Sequence, residues 1–453
     1  MKQKNKISIA GAGLVGSLLA LYLARDGHSV EVYERRPDPR KMKVDGGRSI
    51  NLALSDRGLQ ALDKVGLAER VKREMAIPMH RRVMHDRDGA LSFQAYGKEG
   101  QYINSVSRAG LNALLMSAAE EAGVRFHFQH RCNAVDLQEP ALHLQNELTG
   151  QDLVVPSDLI FGSDGAFSAV RTAMQKTDRF NYSQEYIDHG YKELTIPPGP
   201  DGSFQLEREA LHIWPRGHYM LIALPNPDGS FTCTLFFPFE GEESFQALTG
   251  PEEAHRFFAQ NFADALKLMP DFDREWEENP ASSMVIIRCF PWTRNHKVAL
   301  IGDASHAIVP FYGQGMNAGF EDCRVLHDLI QDEPGDWPSI LEKYERLRQP
   351  DGDAIADLAL RNFVEMRDLT GDPEFLLQKK IEAKLAERHP DKWIPLYSLV
   401  TFSPHIRYSE ALARGKRQDR VMAQVMQRED IHQAWDSLEV EKEALALLEK
   451  VEA

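Results

Sequence analysis

Residues 6–10 (KISIA) form a short apolar run. Beyond it Leu14, Leu18, Leu21 and Tyr22 recur at helical spacing up to residue 26. A second β-rich run follows at 29–33. Strand, helix and strand at this spacing predict a βαβ unit. Further amphipathic helices are predicted over 59–75 and 109–122. Between 186 and 239 the period changes. YKELTI, LHIWP, YMLIALP and SFTCTLFFP, punctuated by Pro, Gly and Asn, predict an antiparallel sheet inserted between two α/β portions. From 338 onward the pattern is nearly all helical, interrupted near Pro390 and over 395–404. The charged stretch 439–451, with a leucine and alanine face, predicts a docked or frayed terminal helix and not a membrane anchor.

Chemistry enters at the first turn. Gly11-Ala12-Gly13-Leu14-Val15-Gly16 follows a predicted strand and opens a predicted helix. Gly11 permits the tight turn, Gly13 lets backbone approach a pyrophosphate, and Gly16 lets helix pack on strand. The helix N-terminus adds free N–H groups and a positive dipole end. The next strand ends at Glu34, whose carboxylate can bond both ribose hydroxyls of an adenosine and would repel a 2′-phosphate. This predicts a site for FAD or NAD over NADP. Two more motifs follow apolar runs. One is Gly162-Ser163-Asp164-Gly165, continuing to Arg171. The other is Gly302-Asp303-Ala304-Ser305-His306, continuing through Pro310 to Asn317. The helix after Gly313 and Gly315 could face a flavin ring, where its dipole would favour charge on the reduced flavin. Asp303 is placed for a ribityl or ribose hydroxyl. Read alone, Asp164 and Asp303 would be turn-forming residues; three motifs in this order are far more specific.

Composition narrows the setting. The 453 residues are 43% apolar and 27% charged, as in folded proteins. The net charge of −15 argues against general nucleic-acid binding and against attraction to anionic membrane surfaces. Cys132, Cys233, Cys289 and Cys323 lie far apart, which predicts reduced thiols and neither a disulfide frame nor a zinc site. No run approaches the ~20 apolar residues of a membrane span. The glycine-interrupted N-terminal run is not a signal-peptide pattern, so a cytoplasmic location is expected. His127 and His130 lack ligand partners at useful spacing and read as structural, with no metal expected.

With these motifs the chain resembles the class A flavoprotein aromatic hydroxylases, over essentially its whole length. The resemblance implies an α/β fold of the para-hydroxybenzoate-hydroxylase kind: a Rossmann-like FAD-binding domain, an inserted antiparallel-sheet substrate domain and a helical C-terminal part. The expected boundaries are 1–75, 103–180 and 285–335 for a discontinuous FAD domain, 76–102 and 181–284 for the sheet domain, and 336–453 for the helices. With a single GxGxxG, a second nicotinamide Rossmann domain is not evident; the resemblance implies that NAD(P)H docks transiently, without a domain of its own, with NADPH as the expected cosubstrate.

Longer stretches narrow the likeness. They are residues 34–40, 47–55 (GRSINLALS), 189–194, 211–215 and 310–317 (PFYGQGMN), and they resemble the kynurenine 3-monooxygenases. That resemblance implies hydroxylation of L-kynurenine at position 3 with NADPH and O2, by a monomer or homodimer. It also implies an Arg and a Tyr that hold the substrate carboxylate. By position these are Arg82 and Tyr96, with Arg81 adjacent to the first. An Arg fork suits a carboxylate bidentately. Asn362 and Tyr397 match polar contacts from the C-terminal helices. Leu211, Ile222, Leu224, Phe236, Pro310, Phe311 and Met366 match apolar walls, against the alternative of ordinary core packing. Cofactor contacts are expected from Gly11, Gly13, Leu14, Val15, Gly16, Glu34, Arg35, Arg36 and Ala53, and from Arg108, Asp164, Asp303, Gly315, Met316 and Asn317. Tyr312 stands where related sequences place other ring side chains and is given no role. No catalytic side chain is assigned, because the cofactor carries the hard chemistry. The membrane anchor of the family's mitochondrial members has no counterpart in the sequence. The alternatives are a class A hydroxylase acting on another aromatic acid or phenol, and a non-catalytic binding protein on a flavin-type fold. A halogenase reading is poor, since only Trp393-Ile394-Pro395 of WxWxIP is present.

Overall fold

The structure is a computed structural model that describes residues 4–41, 51–366 and 372–452. The 47–50 part of the GRSINLALS stretch, with Arg48, lies outside the described residues. At the centre is a six-stranded sheet in the order Thr293–Arg294, Val298–Leu300, Leu159–Gly162, Lys6–Ala10, Ser29–Glu34, Arg125–Phe128. Every neighbouring pair is parallel except the two-residue edge strand Thr293–Arg294. Such a sheet is covered on both faces, which explains why KISIA is buried at four of its five positions. The Leu14–Arg25 helix crosses from Lys6–Ala10 to its parallel neighbour Ser29–Glu34, so the βαβ unit forms as predicted.

The predicted helix over 59–75 is two helices, Asp56–Lys64 and Ala68–Glu74. Gly66 between them has φ +63°, outside helical backbone. The helix expected over 109–122 runs Arg108–Glu121, with Ser107 Oγ accepting from the Gly110 N–H as its N-terminal cap.

The second large sheet has seven strands: Ser282–Phe290, Asn181–Ile196, Phe231–Pro238, Met220–Pro225, Ala210–Pro215, Arg81–His85 and Leu91–Ala95, in that order. Its pairs are antiparallel with one departure from expectation: Ala210–Pro215 runs parallel to Arg81–His85, placing Leu211 opposite Arg82. The sequence pattern carries no sign of this, because the two strands meet across more than a hundred residues of chain. One face of the sheet packs on the aromatic helices Pro251–Asn261 and Phe272–Glu278 around Phe237, Phe258 and Trp276. The other face meets the loop that follows the Gly302–His306 motif and the long helix Trp337–Val364, through Phe236, Phe311 and Phe363. The terminal helix Leu438–Glu452 buries Val440, Ala444 and Leu448 against Val421 and Val425 of Tyr408–Val425, the docked position that its apolar face predicts. The 395–404 interruption holds a short helix, Leu396–Thr401, that carries Tyr397.

Candidate active site

Between the two large sheets lies one continuous cavity of ≈ 1860 Å³. One end is the first turn of the Leu14–Arg25 helix. Gly11 sits at φ +99°, and a Cβ there would stand 2.4 Å from the Ser163 carbonyl oxygen. Only glycine lets the first and second motifs approach this closely. A Cβ on Gly16 would meet the Gly11 carbonyl at 2.1 Å, whereas one on Gly13 would meet nothing within 4 Å. Gly13 is the N-cap, with no side chain closing the helix end, so the free N–H groups face open space. The Glu34 carboxylate is fixed by the Ala12 N–H and the Arg36 N–H, each at 2.9 Å, and lines the cavity.

Asp164 caps the next helix: one oxygen accepts from the Ala169 N–H at 2.7 Å and the Val170 N–H at 3.3 Å. Its other oxygen is buried without a partner among the described residues. Burial pushes its carboxyl above the usual range. Asp303 is exposed to the cavity at the start of the short helix Asp303–His306. Leu14, Val15, Arg35, Arg36, Ala53 and Arg108 line the same end, and Gly315 and Met316 line its continuation. Gly16 and Asn317 do not reach the cavity. The Asn317 amide donates to the carbonyls of Ala53 and Gly313, both at 2.8 Å, and its oxygen accepts from the Ser55 N–H at 3.0 Å. Its side chain therefore fixes the two cavity-lining loops to each other.

The far end is built around Arg82. Its guanidinium carbon lies 4.5 Å from the Tyr96 ring centre and 4.6 Å from that of Tyr397. No carboxylate stands within ion-pairing range of it among the described residues; the neighbouring Arg81 is instead engaged bidentately by Glu207 on the exposed side. Burial works against the Arg82 charge, but the phenol oxygens of Tyr397 and Tyr96 outweigh it and hold the group protonated. Leu211, Ile222, Leu224 and Phe236 supply the sheet wall, and Pro310 and Phe311 face them from the loop. Phe311 packs on Phe236 at 4.9 Å and on Phe363 at 4.4 Å between ring centres. Asn362 and Met366 complete the lining; the Asn362 amide donates to the Phe311 carbonyl at 2.7 Å.

Known proteins now place the arrangement. The family model described as FAD binding domain matches residues 4–359. The kynurenine 3-monooxygenase of Flavobacterium johnsoniae is 51% identical over 450 residues, 99% of this chain and 100% of that one. That of Flavobacterium psychrophilum is 51% identical over 448 residues, 99% of each chain. The chain belongs to the kynurenine 3-monooxygenase family. It is a flavoprotein monooxygenase with FAD as cofactor and O2 and NADPH as cosubstrates. The solved 2-methyl-3-hydroxypyridine-5-carboxylic acid oxygenase shares the fold at a TM-score of 0.66 and 20% identity, covering 82% of this chain and 95% of that one.

The dinucleotide end fits the FAD this family takes. It combines an uncapped helix N-terminus, a carboxylate oriented by two backbone N–H groups, and an unpartnered Asp164 oxygen in a cavity wall. Several supporting contacts of this kynurenine 3-monooxygenase family member, including those of Arg171 and His306 from the second and third motifs, have no signal in the sequence. Arg171, the last residue of the second motif, donates to the carbonyls of Ala304, at 2.8 Å, and Ala166, tying the second motif to the third. Beneath the third motif, His306 Nε2 meets Asp322 Oδ2 at 2.6 Å, and Arg348 Nε donates to Asp322 Oδ1 at 2.7 Å. The Gly302 N–H also donates to Asp322. Burial alone would raise the Asp322 carboxyl, but His306 and Arg348 hold it down at about 2. Burial likewise opposes the His306 charge, and Asp322 overrides it, raising the imidazole above its ordinary value. No helix among the described residues is long and apolar enough to cross a membrane.

Proposed function

We propose that this chain hydroxylates L-kynurenine at ring position 3, consuming NADPH and O2 and giving 3-hydroxykynurenine and water. The observation that carries the substrate is Arg82: a guanidinium between two tyrosine rings, without an acidic partner among the described residues, at the far end of a cavity that begins at a dinucleotide loop. An α-carboxylate completes that pairing, because the planar fork donates to two oxygens at once. The apolar length between Leu211, Phe236 and Phe311 suits an aryl ketone. Tyr96, Tyr397 and Asn362 are the polar neighbours of the amino-acid end, and Ile222, Leu224, Pro310 and Met366 are wall.

Bound FAD supplies the redox and oxygen-transfer chemistry. Gly11, Gly13, Leu14 and Val15 would hold its pyrophosphate side, and Glu34, with Arg35 and Arg36, its adenosine side. Arg108, Asp164 and Asp303 would serve the phosphates and the polyol. Ala53, Gly315 and Met316 would border the ring, and Gly16 and Asn317 would shape the turns that do so. The protein positions the substrate ring and keeps water away with the Phe236–Phe311–Phe363 wall. The expected domain division would hold with the sheet domain extended through the strand Ser282–Phe290, and the enzyme would work in the cytoplasm as a monomer or homodimer.

The test is a visible spectrum of the purified protein followed by NADPH oxidation with L-kynurenine and with a panel of other aromatic acids and phenols. A flavin spectrum and kynurenine-stimulated formation of 3-hydroxykynurenine are expected. A colourless protein would restore the reading as a non-catalytic binding protein. A stronger response to another aromatic acid would move the substrate within the class.

A further inference from the structure

Tyr312 closes the short 3-10 turn Pro310–Tyr312, directly before Gly313, whose φ is +66°. The chain on either side of it is fastened. Asn362 donates to the carbonyl of Phe311, and Asn317 to that of Gly313. Tyr408 anchors the next residue, its hydroxyl donating to Gln314 Oε1 at 2.8 Å. The Tyr312 ring lies nearly parallel to that of Tyr397, 13° apart with centres 5.4 Å apart. Tyr397 in turn stacks on Tyr96 at 6.0 Å, and Arg82 lies over both of those rings. The ring is largely covered and lines the cavity, and no group among the described residues hydrogen-bonds the hydroxyl. The hydroxyl is open to the cavity and not sealed in the core, so a ligand there can pair with it.

We propose that the Tyr312 hydroxyl is a substrate-binding group, donating a hydrogen bond to the α-carboxylate that Arg82 attracts. The inference rests on the amino-acid substrate proposed above. A carboxylate offers about four lone-pair positions, and a guanidinium fork takes two of them. The remaining positions need donors, and the ring stack brings Tyr312 to the Arg82 end of the cavity. Burial raises the phenol well above its ordinary value, and the neighbouring phenol of Tyr397 and the carboxylate of Glu365 raise it further against the opposing charges of Arg361 and Arg82. The group therefore remains a donor across the neutral range.

The variant is Tyr312→Phe, which keeps the ring and breaks no bond within the protein. The FAD-loaded enzyme is titrated with L-kynurenine and with kynuramine, the same molecule with hydrogen in place of the carboxyl group, following the flavin absorbance. The Kd for kynurenine is expected to rise about 10- to 150-fold, the range of one hydrogen bond to a charged group. The Kd for kynuramine should stay within about twofold, and kcat at saturating kynurenine likewise. Tyr312→His, which keeps a ring donor, should recover part of the kynurenine affinity. An unchanged kynurenine Kd in the phenylalanine variant, or equal weakening of both ligands, overturns the role of Tyr312. Failure of the wild-type enzyme to bind kynurenine overturns the substrate itself, a result distinguishable from the other two.

Discussion

Replacing Arg82 with methionine separates binding from folding. In the protein alone the Arg82 charge has no acidic partner among the described residues and is held by the faces of Tyr96 and Tyr397 at 4.5 and 4.6 Å. Two desolvated cation–π contacts contribute about 2 kcal/mol each. Against them stands the desolvation of a buried cation, several kcal/mol after relaxation. These two effects nearly cancel, so Arg82→Met should change the unfolding free energy by no more than about 1 kcal/mol. Binding is different. A carboxylate arriving at Arg82 forms a charge pair in a dry site, and truncating one partner of such a pair costs about 2–5 kcal/mol. Taking about 4 kcal/mol, the Kd for kynurenine rises roughly a thousandfold. Titration of the FAD-loaded variant gives the Kd, and thermal unfolding of the same sample gives its stability. Arg82→Lys, which keeps the charge and loses the fork, should fall between. A kynurenine Kd within threefold of wild type, with FAD retained, would refute the carboxylate assignment. A large loss of stability would show that the charge was already satisfied within the fold.

Gly11→Ala should abolish FAD retention, because its Cβ would stand 2.4 Å from the Ser163 carbonyl at φ +99°; a fully yellow variant after gel filtration would contradict the close approach. The His306–Asp322 pair should shape stability against pH. The Asp322 carboxyl is depressed from 3.8 to about 2, so its contribution is present above pH 3.8 and is lost as pH falls towards 2. The His306 imidazole is raised above 6.5, so its contribution is full below pH 6.5 and is lost as pH rises through the raised value. His306→Gln should accordingly narrow its gap to wild type as pH rises above 6.5, measured by thermal unfolding; a constant gap would show that the histidine is neutral throughout. Finally, Arg57 is buried against Glu321 at 3.1 Å and donates to the carbonyls of Val400 and Ile406. Arg57→Met leaves Glu321 with weaker partners and should cost about 3–5 kcal/mol in urea unfolding; a loss below 1 kcal/mol would mean that Arg348 and Arg324 suffice.

What could be read from the chain was local in origin. The Gly11–Gly16 turn, the Asp164 and Asp303 motifs and the Leu14–Arg25 helix each depend on neighbours within about twenty residues. Glycine spacing and apolar period express those neighbours directly. The broken helix at Gly66 was missed although its signal, a glycine between two helical stretches, lay in the open. The placement of Arg82 and Tyr96 came from family resemblance, since nothing in RRVMH or FQAYG marks a ligand. Nothing in the sequence marks Arg57 or Arg348, and the second motif does not say what Arg171 bonds; only the burial of all three in the fold shows their role.

By itself the sequence determined that a dinucleotide-binding βαβ unit opens the chain, that a sheet is inserted and that helices end it. Backbone periodicity and glycine conformation are properties of short segments. The tertiary structure alone decided which distant segments share a wall. It laid Ala210–Pro215 parallel to Arg81–His85, set Tyr397 and Tyr96 about the Arg82 guanidinium, and stacked the Tyr312 ring beside them. Such contacts arise when whole sheets and helices bury their apolar faces together, and that packing depends on pairs of residues hundreds of positions apart.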